Sequence, residues 1–532
     1  MHEPAMKPNT ARRPMGCPEA TGDTHRDATQ RGRAYEAALG RDRRKELGSF
    51  YTPEDLVGYM LDRVELKPGM KILDPSCGTG FFLVPACRRL TERQAAGGLA
   101  QDAAHKKALS ADLYGLDIDP EAVRLAQRNL ALFAGTSPTE GRNVFCGDFL
   151  DDASTRATIG DTRFDLVIGN PPYSARIPEG KSQAIRQRFK TTKGRLNTAT
   201  LFVERAIEVL KDGGVWALIL PNSVLRVWSY QPVRQFILDT CALLEIADVG
   251  EAFAEADLEM VVIIARKESV EERRRASVVR VARMEQGGWA SHTIPQSFFY
   301  GRVVFPIYVD EEVLAIVRKM EEGSVKLAEI ASAPRGLPIS VNDRERVSDK
   351  HPGKGWRPAI TGRDIASFRI STSKYLRCER QTRQAALVPD WSEAGKIVIQ
   401  NIGNRITAAY DTHGRPALDT VNIVRLQTRA FDDRYVLAIL NSSLMKFYLD
   451  HVVINRSHLT VHLDLPYVGQ IPIKRIPLDE QREMAKLVRA IETSKDEQTL
   501  SNLRRTLDER VYRLYGLTED DVRIVLAKMG RS

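Results

Sequence analysis

Short apolar runs alternate with amphipathic stretches between about residues 70 and 267, and this alternation predicts a sheet flanked by helices. The β-rich runs are residues 70–73, 113–116, 143–145, 164–169 and 215–220, and the helical stretches are 82–93, 120–133 and 200–210. Residues 244–249 and 259–266 predict two more strands, joined by a loop, that complete the sheet. We expect an α/β, doubly wound Rossmann-like domain that binds ligands beyond the carboxyl ends of its strands.

The sequence changes character on both sides of this segment. Residues 1–27 mix Pro, Gly, Thr and charges without a period, which predicts a flexible tail, and residues 28–47 are typical of a solvated helix that ends at Gly48. After a charged stretch at 266–275, the strand–helix rhythm is lost until helical residues 479–491 and 497–515. We therefore predict a tail at 1–27, an α/β domain at 28–285, and a mixed α+β domain with terminal helices at 286–532.

Composition restricts the class of protein. A chain of 532 residues is long enough for two or three domains, and its net charge of +9 weakly favours a polyanionic partner. The six cysteines form no CxxC pair, so we expect free thiols in a reducing cytoplasm and no metal site. Apolar runs are far shorter than the roughly 20 residues that span a bilayer, and the N-terminus has no apolar core, so neither a membrane span nor a secretory signal is expected.

The first predicted strand ends at Asp74, which opens the sequence Asp-Pro-Ser-Cys-Gly-Thr-Gly. Gly78 and Gly80 allow a tight turn and bring the backbone close to a ligand at the N-terminus of the next helix. A plain strand-to-helix turn is the alternative for this loop taken alone. The residues that follow decide between the two.

Acidic residues also end the next two strands. Asp117 is placed to accept hydrogen bonds from ribose hydroxyls, whereas Asp119 precedes Pro120 and is expected to cap the helix. Asp148 could accept from an adenine amine, and Phe149 could pack on the ring. Since no GxxxxGK[ST] loop is present and acidic strand ends repel a pyrophosphate, an adenosine that carries a positive sulfonium fits better than ATP or NAD.

The fourth strand ends at Asn170-Pro171-Pro172-Tyr173. The two prolines fix the backbone and remove two N–H donors, which leaves carbonyl acceptors beside the Asn amide and an aromatic ring. Hydrogen bonds from an adenine N6 amine to the Asn170 side-chain oxygen and the Pro171 carbonyl would favour a pyramidal, nucleophilic amine, and Tyr173 would stack on the base. A loop with a capping Asn is the alternative.

At this point the sequence resembles the amino-methyltransferases, and within them the γ class of DNA adenine-N6 enzymes, the TaqI- and PstI-like type II modification methylases. The matching pieces are residues 48–53, 74–80, 116–120, 147–149 and 170–173, in that order. The resemblance implies S-adenosylmethionine as methyl donor. It also implies that residues 28–285 are the catalytic domain and 286–532 a DNA target-recognition domain, with residues 356–365, 437–448 and 470–473 similar to the TaqI-type specificity domain.

The resemblance also implies roles for single residues. Thr52 would contact the methionine end of the cofactor, and Phe253 would pack on the extruded base as a second aromatic, although Ala254-Glu255 departs from the family pattern and an ordinary core Phe is the alternative. The complete set of cofactor-binding residues that we expect is Thr52, Asp74, Ser76, Gly78, Gly80, Asp117, Ile118, Asp148 and Phe149.

The implied partner is double-stranded DNA, from which the target base must be flipped out. Residues 174–197 carry seven basic side chains against one acidic one, so this loop either grips phosphates or is simply mobile. We further expect a monomer or weak dimer, associated with the nucleoid of a bacterial cytoplasm, and a separate restriction endonuclease that shares its site. A closer likeness to XhoI-type enzymes would make that site CTCGAG.

Two other classes of function compete with this one. Glutamine-N5 methyltransferases that act on proteins, or RNA amino-methyltransferases, also fit the Asn-Pro-Pro-Tyr sequence, but the former place a helical domain first and end soon after the catalytic core. A non-enzymatic DNA-binding module would need neither an intact cofactor loop nor that sequence. A fused restriction enzyme would need a nuclease, and we expect no room for one in the N-terminal segment.

Overall fold

A computed structural model describes most of the chain. It covers residues 30–32, 34–35, 52–134, 143–173, 177, 179–193, 196–250, 259–285, 288–377, 391–455 and 461–530. The predicted tail at 1–27, most of the helix predicted at 28–47, and Gly48 lie outside these residues.

A nine-stranded sheet dominates the first half of the chain, with strands in the order β3-β2-β1-β4-β5-β7-β6-β8-β9. Strands β1 to β5 are parallel neighbours, and β7 is antiparallel to both β5 and β6. The bounds are β1 Ile72–Asp74, β2 Leu113–Asp117, β3 Val144–Cys146, β4 Phe164–Gly169, β5 Leu210–Pro221, β6 Cys241–Gly250, β7 Met260–Lys267, β8 Val278–Glu285 and β9 Gly288–Pro295.

Helices cover both faces of this sheet and lead into a second region. Those of the first half are α1 Glu54–Arg63, α2 Leu83–Ala96, α3 Gln101–Lys107, α4 Pro120–Ala134, α5 Asp152–Ile159, α6 Glu179–Arg188, α7 Thr198–Val209, α8 Ser223–Arg226, α9 Gln231–Thr240 and α10 Glu271–Arg275. Those of the second are α11 Glu311–Glu321, α12 Leu327–Ile330, α13 Asp433–Leu440, α14 Ser443–Tyr448, α15 Leu465–Val468, α16 Leu478–Thr493, α17 Glu497–Leu514 and α18 Glu519–Met529.

The predicted α/β fold class is confirmed, and the reason is visible in the burial of the strands. Every residue of β1 is buried, as is most of β4, β5 and β7, because helices cover both faces of the sheet. Strands of this kind are continuous apolar runs, which is the pattern that the sequence shows. The predicted pair at 244–249 and 259–266 is confirmed as β6 and β7, antiparallel neighbours.

The sheet runs past the predicted boundary between residues 285 and 286. Strand β9 pairs with β8 along its whole length, and β8 pairs in parallel with β6, so the nine-stranded sheet continues to Pro295. The predicted strand pair therefore does not complete the sheet. The charged stretch 266–275 that suggested a boundary is instead the end of β7, a turn and helix α10, in which Arg274 is buried.

Small sheets and helices make up the second region. One small sheet pairs β10 Ser324–Lys326 with β22 Pro472–Lys474. A four-stranded sheet has the order β11 Ala331–Ser332, β20 Val421–Leu426, β17 Lys396–Gln400 and β19 Ala408–Asp411, and a three-stranded sheet has the order β12 Val347–Ser348, β16 Lys374–Arg377 and β13 Trp356–Ala359. Two further pairs are β14 Ile365–Ala366 with β15 Arg369–Ile370, and β18 Ile402–Gly403 with β21 Val461–His462. This is the mixed α+β composition that was predicted.

Two hydrophobic cores hold the chain together. The larger runs from the catalytic sheet through the C-terminal helices, and the smaller lies between the small sheets of residues 337–423. In the part of the chain that the structure describes, no single helix is long and apolar enough to cross a membrane. One bent helix pair, Asp433–Leu440 with Ser443–Val453, meets a length and composition test, and its apolar residues are buried in the larger core.

Candidate active site

Four of the predicted site residues lie side by side along the carboxyl edge of the sheet. Because β3, β2, β1 and β4 are adjacent and parallel, the residues that end or follow them occur in the spatial order Asp148, Asp117, Asp74 and Asn170. They come from four separate segments of sequence. The sheet brings them into one row, as the sequence predicts.

The loop after β1 is tied to β2 through its backbone. Gly78 donates its N–H to Asp117 Oδ2 at 2.8 Å, and the N–H of Ser76 donates to Asp74 Oδ1 at 3.1 Å. Gly78 and Gly80 both have positive φ, +51° and +96°, so the turn needs glycine at these positions. A Cβ on Gly78 would meet nothing within 4 Å, which leaves the surface above it open to a ligand.

Asp74 of this row is buried and Asp117 is half-buried. Burial raises the pKa of Asp74 well above its usual range, and the nearby carboxyl of Asp117 raises it further. Burial also raises the pKa of Asp117, against hydrogen bonds from the N–H groups of Asp119 and Gly78. A cationic ligand would offset the desolvation of these two carboxylates, because an opposite charge favours their ionised forms.

Asn170 connects three segments of the site. Its Nδ2 donates to Thr52 Oγ1 at 3.2 Å, and its carbonyl accepts from Ser76 Oγ at 3.3 Å. Two residues further on, the Pro172 carbonyl accepts from Thr198 Oγ1 at 2.5 Å. The Asn-Pro-Pro-Tyr loop is therefore fixed by the residue before α1, by the loop after β1, and by the first turn of α7.

Gly169 is required where β4 meets this loop. A Cβ at Gly169 would lie 2.6 Å from Asp74 Oδ1, closer than carbon and oxygen pack without displacement. Gly169 and Asp74 belong to neighbouring parallel strands, so the contact crosses the sheet. Nothing in the local sequence indicated this requirement.

Asp119 has the role that was predicted for it. Its Oδ1 accepts the N–H of Glu121 at 3.0 Å and so caps α4, while Oδ2 accepts from the hydroxyl of Tyr35. Gly32, close to Tyr35 in sequence, lies against the loop after β1. A Cβ at Gly32 would lie 2.6 Å from Thr79 Oγ1. Residues 30–32 and 34–35 thus cover one side of the loop, a contact that sequence reasoning missed.

Three of the expected contact residues differ in exposure. Ile118 is 60% exposed beside Asp117, as a residue that packs on a ligand would be. Phe149 is 1% exposed and packs on Phe202 with ring centroids 5.5 Å apart, and its packing on adenine stays a prediction. Tyr173 is 3% exposed, and burial raises the pKa of its hydroxyl.

Two predictions concern residues near the target base. One cannot be examined in the described residues, and the other is contradicted by ion pairs. Phe253 lies outside the described residues, so its role stays a prediction. Residues 179–188 of the basic segment form helix α6, and Arg188 is bound to Glu208 at 2.6 Å and Asp152 at 2.8 Å. These ion pairs contradict the idea that Arg188 is free to grip phosphates.

The C-terminal segments singled out in the sequence have structural roles where side chains are described. Asn441 exchanges hydrogen bonds with the backbone of Ala408 at 3.1 and 3.0 Å, and Ser443 binds the carboxyl of Asp508. Helices α13 and α14 are largely buried. These side chains bind other parts of the second region.

The row of residues fits S-adenosylmethionine. Three acidic groups and a glycine turn with open space above Gly78 suit a nucleoside that carries positive charge, and Asn170 stands next in the row, where an acceptor amine would be held. Among residues whose positions are described, no group of three or more His, Cys, Asp or Glu side chains could hold a metal ion.

Comparisons with known proteins agree with this geometry. Residues 26–288 match the family model of the N-6 DNA methylases, and residues 357–473 match the TaqI-like C-terminal specificity domain. Type II methyltransferase M.VspI of Vibrio sp. (strain 343) is 23% identical over 334 residues, 62% of this chain and 74% of that protein. M.TthHB8I of Thermus thermophilus is 22% identical over 452 residues, 80% of this chain and 91% of that protein.

A similar fold occurs in the type IIL restriction-modification enzyme MmeI, solved in complex with DNA. The TM-score is 0.59 at 13% identity, over 93% of this chain and 80% of that one. The chain spans about half the length of two solved type I methylase subunits, 48% and 54%.

The fold and the site together define an S-adenosylmethionine-dependent methyltransferase. The chain belongs to the N-6 DNA methylases, with a TaqI-like specificity domain after the catalytic sheet, and is thus a DNA methyltransferase of the adenine-N6 family.

Proposed function

We propose that this enzyme methylates the N6 amine of an adenine within a specific sequence of double-stranded DNA, as the modification half of a type II restriction-modification system. The observation that carries the proposal is the junction of Asn170 with Thr52 and Ser76, since it joins the amine-binding loop to the cofactor loop. The TaqI-like specificity domain and the type II relatives support DNA as the acceptor.

The cofactor site that we propose consists of the residues along the first three strand ends. When bound, S-adenosylmethionine supplies a methyl group activated by its sulfonium. Asp117 would accept the ribose hydroxyls, Asp148 the adenine amine, and Ile118 would pack on the adenine ring. Thr52 and the loop that contains Asp74, Ser76, Gly78 and Gly80 would hold the methionine end.

Asn170 and Pro171 would hold the target amine. The lone pair of N6 is delocalised into the adenine ring, so the amine becomes nucleophilic only when it is pyramidal. Acceptance of its two N–H hydrogens by Asn170 Oδ1 and the Pro171 carbonyl favours that geometry and stabilises the positive charge that develops on nitrogen.

An adenine inside a duplex cannot reach this loop, so we propose that the target base is flipped out. Stacking on Tyr173, and on Phe253, would offset the lost base stacking. Tyr173 is buried in this structure, so its ring must become accessible when DNA binds.

The wider context of the enzyme follows from the same proposal. We expect a cytoplasmic, nucleoid-associated monomer or weak dimer, with a separate endonuclease that cuts the same sequence when it is unmethylated. A glutamine-N5 or RNA amino-methyltransferase would share the Asn-Pro-Pro-Tyr loop, but the TaqI-like specificity domain favours DNA.

Transfer of label from S-adenosylmethionine tests the proposal. Purified enzyme is incubated with duplex DNA, RNA and protein acceptors in parallel, and methylated positions in the DNA are mapped by sequencing. We expect label in duplex DNA alone, at adenines within one short sequence, with CTCGAG as the first sequence to examine. Label in RNA or protein, or on cytosine, would contradict the proposal.

A further inference from the structure

The segment after β5 lies at the same edge of the sheet as the catalytic loop. Strands β4 and β5 are parallel neighbours, with Gly169 paired to Leu218, so the residues that follow both strands emerge on one side. Strand β4 leads into Asn170, whereas β5 leads through Pro221 into α8 and a short 3₁₀ turn, Trp228–Tyr230. The topology therefore places this turn near the target amine site.

Hydrogen bonds connect the 3₁₀ turn to the catalytic loop. The hydroxyl of Tyr230 accepts from Asn197 Nδ2 at 3.0 Å, and the next residue, Thr198, donates to the Pro172 carbonyl at 2.5 Å. The side chain of Asn197 also caps α7 by accepting the N–H of Ala199. The N-terminus of α7 thus anchors both the 3₁₀ turn and the catalytic loop.

Trp228 exposes its ring at this turn. It is 51% exposed, whereas Trp216 is fully buried and Trp289 stacks on Tyr59 at 4.0 Å. The backbone under the exposed ring is fixed, because the N–H of Trp228 donates to Tyr467 Oη at 2.9 Å. The indole is therefore presented to solvent on a fixed backbone, and it offers a partner both an apolar face and an N–H donor.

Tyr467 connects this turn to the specificity domain. It belongs to α15, whose Leu465 and Pro466 line a cleft of about 790 Å³ together with Arg335 and Arg425. Trp228 therefore lies between the catalytic edge of the sheet and this cleft, where Arg335 pairs with Asp464 at 3.0 Å and Arg425 lies 3.6 Å from Glu393. The exposed indole beside the cleft complements a partner with flat apolar rings, as nucleobases have.

We propose that Trp228 stacks on a nucleobase of bound DNA beside the flipped adenine. This inference rests on the proposed function, because DNA must lie across the catalytic edge. Stacking of a base on an aromatic side chain is worth enough that its removal typically weakens binding from about fivefold to more than a hundredfold.

The test compares Trp228→Ala and Trp228→Phe with Leu526→Ala, which shortens a residue of equal exposure (52%) on α18. Affinity for a fluorescent duplex that contains the mapped sequence is measured by anisotropy, with S-adenosylmethionine affinity and thermal unfolding as controls for folding. We expect Trp228→Ala to weaken DNA binding about tenfold or more, Trp228→Phe to restore part of it, and Leu526→Ala to change nothing. Unchanged DNA affinity in Trp228→Ala would overturn the proposal.

Intrinsic fluorescence provides a second readout that does not depend on methylation. The duplex should quench the tryptophan emission of the wild-type enzyme, and Trp228→Phe should lose that quenching. Quenching that persists in Trp228→Phe would contradict the stacking role. If DNA quenches Trp228 but accepts no methyl group, the proposed function fails and the contact stands; if DNA is methylated and Trp228→Ala binds it normally, the contact alone fails.

Discussion

The amide nitrogen of Asn170 donates to the hydroxyl of Thr52 at 3.2 Å, across 118 positions of sequence. Thr52 directly precedes Pro53 and helix α1, whereas Asn170 follows strand β4, so one hydrogen bond joins the segment before α1 to the loop that we propose holds the target amine.

Removal of this hydroxyl should slow the methyl transfer. Thr52→Val keeps the shape of the side chain but cannot accept the Asn170 N–H, and a hydrogen bond of this kind contributes roughly 0.5–1.5 kcal/mol. We expect kcat to fall about two- to tenfold in Thr52→Val, while Thr52→Ser stays near the wild-type value. Steady-state kinetics on duplex DNA measures this, and a wild-type kcat in Thr52→Val would show that the bond does not position Asn170.

The close approach of Gly169 to Asp74 predicts that even the added methyl group of Gly169→Ala lowers activity. In Gly169→Ala the new Cβ would lie 2.6 Å from Asp74 Oδ1, so the carboxyl or the Asn170 loop must shift. We expect kcat to fall more than tenfold while the protein stays folded, since misplacement by about 1 Å can cost 10²-fold.

Gly58→Ala is the matched control for this substitution. Gly58 lies within α1, and a Cβ there would meet nothing within 4 Å. It should keep full activity and gain about 0.5–1 kcal/mol of stability, because alanine replaces glycine inside a helix. Equal activity of the two variants would refute the packing argument.

The raised pKa of Asp117 predicts that its ionised carboxylate lowers the stability of the cofactor-free protein while it strengthens cofactor binding. A carboxyl whose pKa is higher in the folded than in the unfolded protein contributes stability below its unfolded pKa, and this contribution is lost as pH rises through the folded pKa. Asp117→Asn removes this dependence, so the cofactor-free variant should be more stable than wild type at pH 7.5, with a smaller difference at pH 5.

Binding should change in the opposite direction. The same variant should bind S-adenosylmethionine at least about tenfold more weakly, because a neutral amide accepts ribose hydroxyls less strongly than a carboxylate. Urea unfolding and calorimetry measure the two effects, with the exposed Asp161→Asn as control. A destabilised Asp117→Asn that binds the cofactor normally would reverse the assignment.

The buried carboxyl of Glu245 anchors α1 to the sheet. It accepts from Arg63 at 2.7 Å, from Arg280 at 2.8 Å and from the hydroxyl of Tyr59. Because Arg63 and Arg280 are partly exposed, the relevant magnitude is that of hydrogen bonds to charged groups, so Glu245→Gln should lower the free energy of unfolding by roughly 1.5–3 kcal/mol. The exposed Glu483→Gln should change it little, and equal effects of the two in urea unfolding would count against this anchor.

The sequence was sufficient to predict the strands that carry the site. Parallel strands buried on both faces are continuous apolar runs, so the positions that follow them, such as Asp117 and Asn170, could be predicted without tertiary information. The capping role of Asp119 was predictable for the same reason, since it depends only on neighbours in sequence.

Features that depend on contacts between distant segments were not predictable. The charged stretch before β8 suggested a domain boundary, although strands β8 and β9 extend the sheet through pairing that leaves no local pattern. Phe149 has the sequence position of a cofactor contact, and its packing on Phe202 from α7 is a further contact of this kind. Arg188 lies in a basic segment of the kind that contacts phosphates, but its charge is paired with Glu208.

The chemical identity of the methylated base tests the central claim most directly. Duplex DNA incubated with the purified enzyme and S-adenosylmethionine is digested to nucleosides and analysed by mass spectrometry, beside DNA treated with Asn170→Ala. We expect N6-methyldeoxyadenosine from the wild-type enzyme and none from the variant, even though the variant still binds S-adenosylmethionine. N4-methyldeoxycytidine as the product, or equal yields of N6-methyldeoxyadenosine from both proteins, would contradict adenine-N6 methylation at Asn170.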